Sequence, residues 1–345
     1  MARSRHCSLV PPYILQAVAR SDDPVLRDAA VSTLALDKTF AVSRVQAQAT
    51  RTAAPPRPPR LKRLVHDAEH REELPGVLVR REGAPPTGDD AVNEAYDGLG
   101  ATWRLFQEQF GRNSMDDAGL ALSGTVHFGD RYDNAYWDGE QMVFGDGDGL
   151  LFNRFTVAVD IIGHELAHGV TGATADLVYR DQPGALNESL SDVFGALTKQ
   201  YLLGQTADEA DWLIGAGLLA DGVDGVALRS MAAPGTAYDD PRLGGRDPQP
   251  AHLDDYLRTT GDNGGVHTNS GIPNKAFHLA ATALGGYAWE RAGTIWYSAL
   301  TSPELNRTAT FAVFARITAD VAESLFGADA RSAVEGAWQG VGVAQ

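Results

Sequence analysis

One run of eleven residues, DIIGHELAHGV from Asp160 to Val170, constrains this chain most, because its two histidines can act together only if the run is helical. Residues four apart share one face of an α-helix, so the rings of His164 and His168 can point at one spot. A zinc ion suits that spot, with Glu165 at its rim as a proton acceptor. The alternative is two ordinary helix histidines beside a surface glutamate.

A second predicted helix, within GALNESLSDVFG, offers the missing ligand. Glu188 and Asp192 are four apart and face the same way. Two histidines and Glu188 would leave the fourth zinc position open for water, as a catalytic site requires. Asp192 could then accept a hydrogen bond from the far ring nitrogen of a zinc-bound histidine. Alternatively, both acids lie on a solvated helix face.

Composition excludes several classes of function. The chain has 345 residues, 43% of them hydrophobic and 21% charged, which is typical of a globular protein. A net charge of −16 argues against nucleic acid and anionic membranes as partners. The sequence has no apolar run of about 18 residues and no signal-peptide core. Cys7 is the single cysteine, so no internal disulfide forms. We expect a cytoplasmic protein, or one secreted without a classical signal peptide.

The chain divides into four segments. Residues 1–50 predict two short helices, with Asp23 as an N-cap before Pro24. Residues 51–63, rich in proline and arginine, predict an extended linker. Residues 64–155 carry strand patterns and a hairpin turn at Asp138-Gly139, and 156–345 are mainly helical. Residues 1–50 contain six basic and four acidic residues, against 23 basic and 41 acidic in the remainder, so the first segment would dock with electrostatic help.

These motifs together resemble the thermolysin-like zinc metallopeptidases. The likeness covers roughly residues 65–345 and extends to three further segments: NAYWDGEQMVFGDGDG (134–149), LRSM (228–231) and DNGGVHTNSGIPNKAF (262–277). It implies an α+β fold of two lobes, a β-rich N-terminal lobe and a helical C-terminal lobe, with the zinc helix between them. It also implies peptide-bond hydrolysis, peptide and protein substrates, and a monomer.

The first fifty residues, with PPYIL near their start, are similar to the short propeptides of the protealysin type. The resemblance implies that they inhibit their own enzyme until self-cleavage within the 51–63 linker. The inhibitory device is either the Pro-Pro segment lying in the cleft, since proline lacks the backbone donor of a strand-like substrate, or a Cys7 thiolate on the zinc. Cys7 could equally be an ordinary thiol.

The resemblance also implies roles for individual residues. Glu165 is the general base, and Tyr179 and His267 stabilise the oxyanion. Asp262 orients His267. Of nine histidines, five have no motif around them and are expected to be structural: His66, His70, His127, His252 and His278.

By the same resemblance, Asn134 and the Ala135 carbonyl hold the substrate backbone, and Arg229 binds a substrate carbonyl or pairs with an acid. Tyr136 and Trp137 are either scaffold or part of a subsite. The implied preference is for a bulky apolar residue just after the cleaved bond. Four apolar residues match its pocket: Phe152, Phe155, Ile161 and Leu228.

A double calcium site common in this family is expected to be absent. Asp160 and Asp211 match two of its acids, but Lys199 stands where another is needed, and Leu213 and Ala216 occupy two more positions. An ammonium group cannot ligate calcium, so a Lys199–Asp160 ion pair is a possible substitute. Calcium elsewhere stays open. The alternatives to an endopeptidase are a latent protein that mainly binds a partner, and a zinc aminopeptidase on a related scaffold.

Overall fold

The computed structural model describes residues 8–50 and 58–343, with side chains described for 8–39 and 58–343. Cys7 and most of the predicted processing region lie outside these ranges. The proposed Cys7–zinc contact and the exact cleavage point therefore stay predictions.

Two helices form the N-terminal segment: α1 (Pro12–Val18) and α2 (Pro24–Thr50). Asp23 caps α2 as predicted, because its Oδ1 accepts the Val25 N–H at 2.8 Å. The second helix has 27 residues, so the prediction of two short helices was wrong for it. The sequence contains no glycine or proline between Pro24 and Pro55, and nothing local stops the helix.

A five-stranded sheet of order β2-β1-β3-β5-β4 is the centre of the N-terminal lobe. Its strands are β1 (Arg63–Asp67), β2 (Val77–Arg81), β3 (Leu122–Val126), β4 (Ala135–Trp137) and β5 (Met142–Phe144). β1, β3 and β5 run parallel, whereas the two outer strands are antiparallel to their neighbours. The Asp138-Gly139 turn joins β4 to β5 as predicted, which places β4 on the edge beside the cleft.

The N-terminal lobe also contains a helix that the sequence analysis did not identify, α3 (Asp90–Arg104), followed by a π-helical turn over Leu105–Gln109. Asp89 caps α3 by accepting the N–H groups of Ala91 and Val92. The helix was missed because its centre, DGLG, has two glycines, which are poor helix formers.

The C-terminal lobe is helical, as predicted. Its helices are α4 (Val159–Ala173), α5 (Asp181–Leu203), α6 (Asp262–Asn269), α7 (Gly271–Leu284), α8 (Ala292–Leu300), α9 (Phe311–Phe326) and α10 (Ala328–Gly340). Four two-residue strands lie between α5 and α6: β6 (Leu213–Ile214), β7 (Arg229–Ser230), β8 (Asp239–Asp240) and β9 (Gly245–Arg246). Within the described ranges, no helix is both long and apolar enough to cross a membrane.

Two glycines let α4 and α5 approach closely. A Cβ on Gly195 would lie 2.4 Å from the Asp160 carbonyl oxygen, and one on Gly163 would lie 2.8 Å from Thr198 Oγ1. Real Cβ atoms do not come this near, so each position requires glycine. The close contact brings the side chains of the two helices to a common point.

Candidate active site

His164 and His168 on α4 meet Glu188 from α5, and all three are buried. The two Nε2 atoms are 3.1 Å apart. Glu188 carboxylate oxygens lie 3.6 Å from His164 Nε2 and 3.7 Å from His168 Nε2. The arrangement matches the ligand set predicted from the sequence.

The hydrogen bonds behind the two imidazoles suit a cation at this point. His164 Nδ1 lies 2.8 Å from Asp192 Oδ1, and His168 Nδ1 lies 2.8 Å from Asn187 Oδ1. Both acceptors fix a proton on Nδ1, so both Nε2 lone pairs point toward the Glu188 carboxylate. Three electron-rich groups converging in a buried site fit zinc, which favours two imidazoles and a carboxylate.

Asp192 is the centre of a buried polar network. It accepts two hydrogen bonds from the Arg229 guanidinium, at 2.9 and 2.8 Å, and one from Asn274 at 2.8 Å. Burial would raise the pKa of this carboxyl, but Arg229 and His164 outweigh burial and hold the pKa well below its usual range. Asp192 therefore stays charged and is the acidic partner of Arg229, a pairing that the sequence analysis left open.

Glu165 is fully buried between α4 and the edge strand β4. Its Oε2 accepts the backbone N–H of Trp137 at 3.0 Å, and its Oε1 lies 4.0 Å from His164 Nε2. Trp137 thus orients Glu165 through its backbone. This contact was not predictable from the sequence, because a main-chain donor carries no residue-type signal.

Three further polar residues lie beside the His164–His168–Glu188 cluster: Tyr179, His267 and Asp262. His267 Nδ1 lies 2.6 Å from Asp262 Oδ1, and Asp262 Oδ2 accepts the His267 N–H at 3.0 Å. The Tyr179 hydroxyl donates a short hydrogen bond to Glu188 and lies 3.3 Å from His267 Nε2. Burial lowers the pKa of His267, but the Asp262 and Glu188 carboxylates outweigh burial and raise it to about 9.

Residues Ser8 to Val10 lie buried in the cleft beside these groups. Leu9 N–H donates to the Ala135 carbonyl at 3.2 Å, and Val10 N–H donates to Asn134 Oδ1 at 2.9 Å. The segment that pairs with β4 is therefore the one just before Pro11 and Pro12, rather than the prolines themselves.

The carbonyl groups of the same segment face the opposite wall of the cleft. The Arg229 guanidinium donates to the Leu9 carbonyl at 3.3 Å. His267 Nε2 lies 3.2 Å from the Ser8 carbonyl oxygen. Backbone hydrogen bonds thus hold the segment on both sides.

Helix α2 holds the same region from outside. Asp37 accepts hydrogen bonds from the Tyr132 hydroxyl at 2.6 Å and from Asn134 Nδ2 at 3.0 Å, and Thr33 Oγ1 accepts the Asp133 N–H at 3.0 Å. These contacts were not predicted, because no local pattern marks two polar residues on a helix as binding residues.

The four predicted pocket residues, Phe152, Phe155, Ile161 and Leu228, are buried in the main hydrophobic core, which also contains Leu9 and Val10. The Phe152 and Phe155 ring centroids are 6.0 Å apart. Ile161 and Leu228 approach each other at Gly215, where a Cβ would contact both side chains.

Lys199 lies beside Asp160 and Asp211, the two acids that the resemblance assigns to a double calcium site. Its Nζ is 2.7 Å from Asp211 Oδ2 and 3.4 Å from Asp160 Oδ2. The predicted Lys199–Asp160 ion pair is therefore present, with Asp211 as a closer second partner. Asp160 also accepts the Gly215 N–H at 3.0 Å.

Comparisons with known proteins agree with this geometry. Residues 63–172 match the thermolysin metallopeptidase catalytic domain, and residues 175–343 match the thermolysin metallopeptidase alpha-helical domain. An extracellular metalloprotease of Pectobacterium carotovorum subsp. carotovorum is 53% identical over 98% of this chain and 96% of its own. Protease PrtS of Photorhabdus sp. (strain Az29) is 49% identical over 97% and 91% of the two chains.

The solved structure of a protealysin precursor, a metalloproteinase from Serratia proteamaculans, is 54% identical. It superimposes with a TM-score of 0.90, covering 98% of this chain and 100% of that one. With two matching domains, a His-His-Glu cluster and a protealysin-type precursor as a structural relative, this chain belongs to the thermolysin family of zinc metalloendopeptidases.

Proposed function

We propose that this endopeptidase is made as a latent precursor whose residues 1–50 act as a propeptide and block the cleft until the chain is cut within 51–63. The observation that carries the proposal is the set of hydrogen bonds from the main chain of Ser8–Val10 to the Ala135 carbonyl of β4 and to the side chains of Asn134 and Arg229. Binding of a peptide through its main chain at a sheet edge is a recurring mode of peptide recognition. A substrate needs the same groups, so it cannot bind while this segment does.

The segment also supports an assignment of the substrate register. The Ser8 carbonyl oxygen is near His267, where a scissile carbonyl would receive a hydrogen bond. Leu9 then occupies the position just after the cleaved bond, and Val10 the next one. Leu9 is buried in the same hydrophobic core as Phe152, Phe155, Ile161 and Leu228, which supports a preference for a bulky apolar residue at this position.

His164, His168 and Glu188 would hold the zinc ion, which supplies Lewis acidity and lowers the pKa of water when bound. Glu165, oriented by the Trp137 N–H, accepts the proton of the attacking water and later delivers it to the leaving nitrogen. Asp192 fixes the tautomer of His164.

Tyr179 and His267 supply the donors for the oxyanion. Asp262 orients His267 through two hydrogen bonds and favours its protonated form. Arg229 and Asn134, together with the Ala135 carbonyl, align the substrate backbone so that the carbonyl faces these donors. Asn134, the Ala135 carbonyl, Arg229 and His267 each contact Ser8–Val10 in the precursor, which supports these roles.

The substrate preference can be measured on the processed enzyme with peptides that differ only after the cleaved bond. We expect Leu and Phe to exceed Ala by about 10-fold or more in kcat/KM, since each buried methylene contributes about 0.8 kcal/mol. Asp should be cut poorly, because the pocket offers no partner for a buried charge. Equal rates for Leu, Ala and Asp would refute the preference.

We further propose that the Lys199 ammonium replaces the double calcium site. Its contacts with Asp160 and Asp211 neutralise the acids that would otherwise attract the ion. Calcium should therefore not raise the melting temperature of the protein through Asp160 and Asp211. A calcium-dependent rise that Asp211→Asn abolishes would contradict this.

The Pectobacterium relative is named an extracellular metalloprotease. We infer that the mature form of this enzyme also acts outside the cell. Fractionation of the producing culture should find the processed form in the medium, and its restriction to the cell lysate would refute the inference.

The central test is a time course of the zinc-loaded full chain beside Glu165→Gln, followed by intact mass and by cleavage of a peptide with an internal Leu. Wild type should lose its first 50 to 60 residues and gain activity, while the variant stays intact and inactive. Equal trimming of both would assign the processing to another protease. If neither is trimmed and neither cuts peptide, the protein is a latent binding protein instead.

A further inference from the structure

Three potential metal ligands that the proteolytic site does not use lie together on the N-terminal lobe. One ligand atom from each of His70, His127 and Asp146 lies within 4.8 Å of the others. Asp146 Oδ2 is 2.9 Å from His127 Nδ1 and 3.5 Å from His70 Nδ1. We propose that this cluster is a second site for a divalent transition-metal ion such as zinc, separate from the site on α4 and α5.

The sheet topology brings the three residues together. Strands β1, β3 and β5 are adjacent and parallel, so their carboxyl ends meet at one edge of the sheet. His70 follows the end of β1 by three residues, His127 comes directly after β3, and Asp146 follows β5 by two residues. The carboxyl edge of parallel strands is a common position for ligand sites.

Backbone hydrogen bonds hold the two histidine-bearing loops in register. The His70 N–H donates to the His127 carbonyl at 2.9 Å, and the Gly129 N–H donates to the Arg71 carbonyl at 3.1 Å. The Ala68 N–H donates to the Val126 carbonyl at 3.0 Å. The proximity of the two rings is therefore built into the main chain and does not depend on two mobile side chains.

Both histidines also adopt a backbone conformation that side chains disfavour. The φ angle is 60° at His70 and 53° at His127, in the left-handed region. Strained backbone of this kind persists only when the surrounding structure enforces it, and it concentrates at functional sites. The surrounding structure therefore fixes the backbone at both histidines, whose ring centroids are 5.5 Å apart.

Asp89 supplies the outer partner that a metal-binding histidine normally has. Its Oδ2 is 2.8 Å from His127 Nε2, while its Oδ1 caps α3 through the Ala91 and Val92 N–H groups. The Nε2–H of His127 can therefore donate to Asp89, while Nδ1 lies 2.9 Å from both Asp146 carboxylate oxygens. These carboxylates raise the pKa of His127 to about 9, so an ion binds Nδ1 by displacing its proton. This carboxylate–histidine–metal arrangement fixes the tautomer and raises ligand basicity.

The donor set decides which ions fit. Two imidazole nitrogens and one carboxylate suit zinc, copper or nickel better than calcium or magnesium, which prefer oxygen ligands. Zinc–nitrogen bonds of 2.0–2.1 Å place neighbouring ligand atoms about 3.3 Å apart in a tetrahedron. The distances from Asp146 Oδ2 to His127 Nδ1 (2.9 Å) and to His70 Nδ1 (3.5 Å) lie on either side of that value. The His70 side chain is 65% exposed, so an ion can enter from solvent.

The test is metal analysis after equilibrium dialysis of the full chain against excess zinc, in the Glu165→Gln background to keep the chain intact. We expect two zinc ions per chain, falling to one in His70→Gln and in Asp146→Asn. His70 is exposed, so its substitution should not impair folding. The matched control is His252→Gln, which removes another partly exposed histidine, in the C-terminal lobe, and should keep two ions.

Thermal unfolding provides a second readout. Zinc added beyond the first equivalent should raise the melting temperature of the parent protein and of His252→Gln, but not of His70→Gln. If the parent binds one ion, the cluster is a hydrogen-bonded network only and the proposal fails. If the parent and both cluster variants all bind two, the second ion lies elsewhere and the assignment is equally wrong. If the His164–His168–Glu188 site bound no zinc, the number of zinc ions per chain would fall by one in every protein. The difference between the parent and the cluster variants would remain.

Discussion

At the scale of single residues, the Tyr179 hydroxyl contacts both Glu188 and His267. In Tyr179→Phe we expect kcat of the processed enzyme to fall by about 10²-fold or more, since one oxyanion donor is lost. The zinc content should stay the same, because the three ligands remain. Steady-state kinetics and metal analysis would measure both.

The control for this substitution is Tyr287→Phe, which removes a hydroxyl from an exposed ring that stacks on Trp289. It should leave kcat unchanged. A wild-type kcat in Tyr179→Phe would remove Tyr179 from the mechanism, and a loss of zinc would assign it to holding Glu188 instead.

The role of a residue could be predicted from the sequence where its side chain makes the contact, but not where its backbone does. His164, His168, Glu188 and Asp192 were identified because helical spacing fixes where their side chains point. The Trp137 N–H on Glu165 could not be identified, since every residue except proline has such a donor. Ser8–Val10 binds mainly through its main chain for the same reason, so its role was assigned to the neighbouring prolines.

At the scale of elements, the glycine contact between α4 and α5 determines the metal site. In Gly195→Ala the new Cβ meets the Asp160 carbonyl, so the helices must separate. We expect a loss of about 1–3 kcal/mol or more in the free energy of unfolding, measured with denaturant, and weaker zinc binding.

Gly336→Ala is the matched control, because it changes a glycine of α10 with no atom within 4 Å of the new Cβ. A helical Ala in open space should stabilise the protein by roughly 0.5–1 kcal/mol. If both substitutions changed the free energy of unfolding by a similar amount, helix propensity rather than close packing would explain the effect at Gly195.

The junction of β1 and β2 carries a pH-dependent ion pair. Arg63 donates to Glu82 at 2.8 and 2.6 Å, and this hydrogen bonding lowers the pKa of Glu82. A lowered carboxyl pKa stabilises the fold above the unfolded value of about 4.3, and this stabilisation disappears as the pH falls through the lower folded pKa. Glu82→Gln should thus be less stable than wild type at pH 6, with a difference that narrows below about pH 4.

Denaturant unfolding at several pH values would measure this difference. The control is Glu335→Gln, which removes the acid of the Arg331–Glu335 ion pair on the surface. A difference that stays constant between pH 6 and pH 3 would show that Glu82 acts through packing rather than charge.

Helices and strands were predicted well where hydrophobic periodicity was strong. They were predicted poorly where the presence or absence of glycine and proline determined how far a helix extends. The two helices that carry the zinc ligands were found, and they span Val159–Ala173 and Asp181–Leu203. Helix α3 was hidden by its glycines. Helix α2 was predicted too short, although no glycine or proline interrupts it after Pro24.

At the scale of the whole molecule, α2 holds the N-terminal segment against the catalytic body through Asp37. In Asp37→Ala the Tyr132 hydroxyl and Asn134 Nδ2 lose a buried acceptor, which costs about 1–3 kcal/mol per unsatisfied group. We expect the variant precursor to become active at least about fivefold faster, followed by peptide cleavage over time.

Asp28→Ala controls for the loss of an acid from the same helix, since the Asp28 side chain is 77% exposed. It should activate at the wild-type rate. An unchanged rate in Asp37→Ala would mean that Ser8–Val10 alone sets the latency.

The pairing of Ser8–Val10 with the cleft has a consequence for when activity becomes available. In the uncut chain inhibitor and enzyme are one molecule, so the local concentration of the inhibitor is fixed by the tether and dilution cannot release it. After a cut in the linker the same contacts join two molecules, and their association depends on total concentration. From the proposed propeptide function we therefore expect a precursor that is latent at any concentration, and a cut protein that stays inhibited where it is concentrated and becomes active once it disperses.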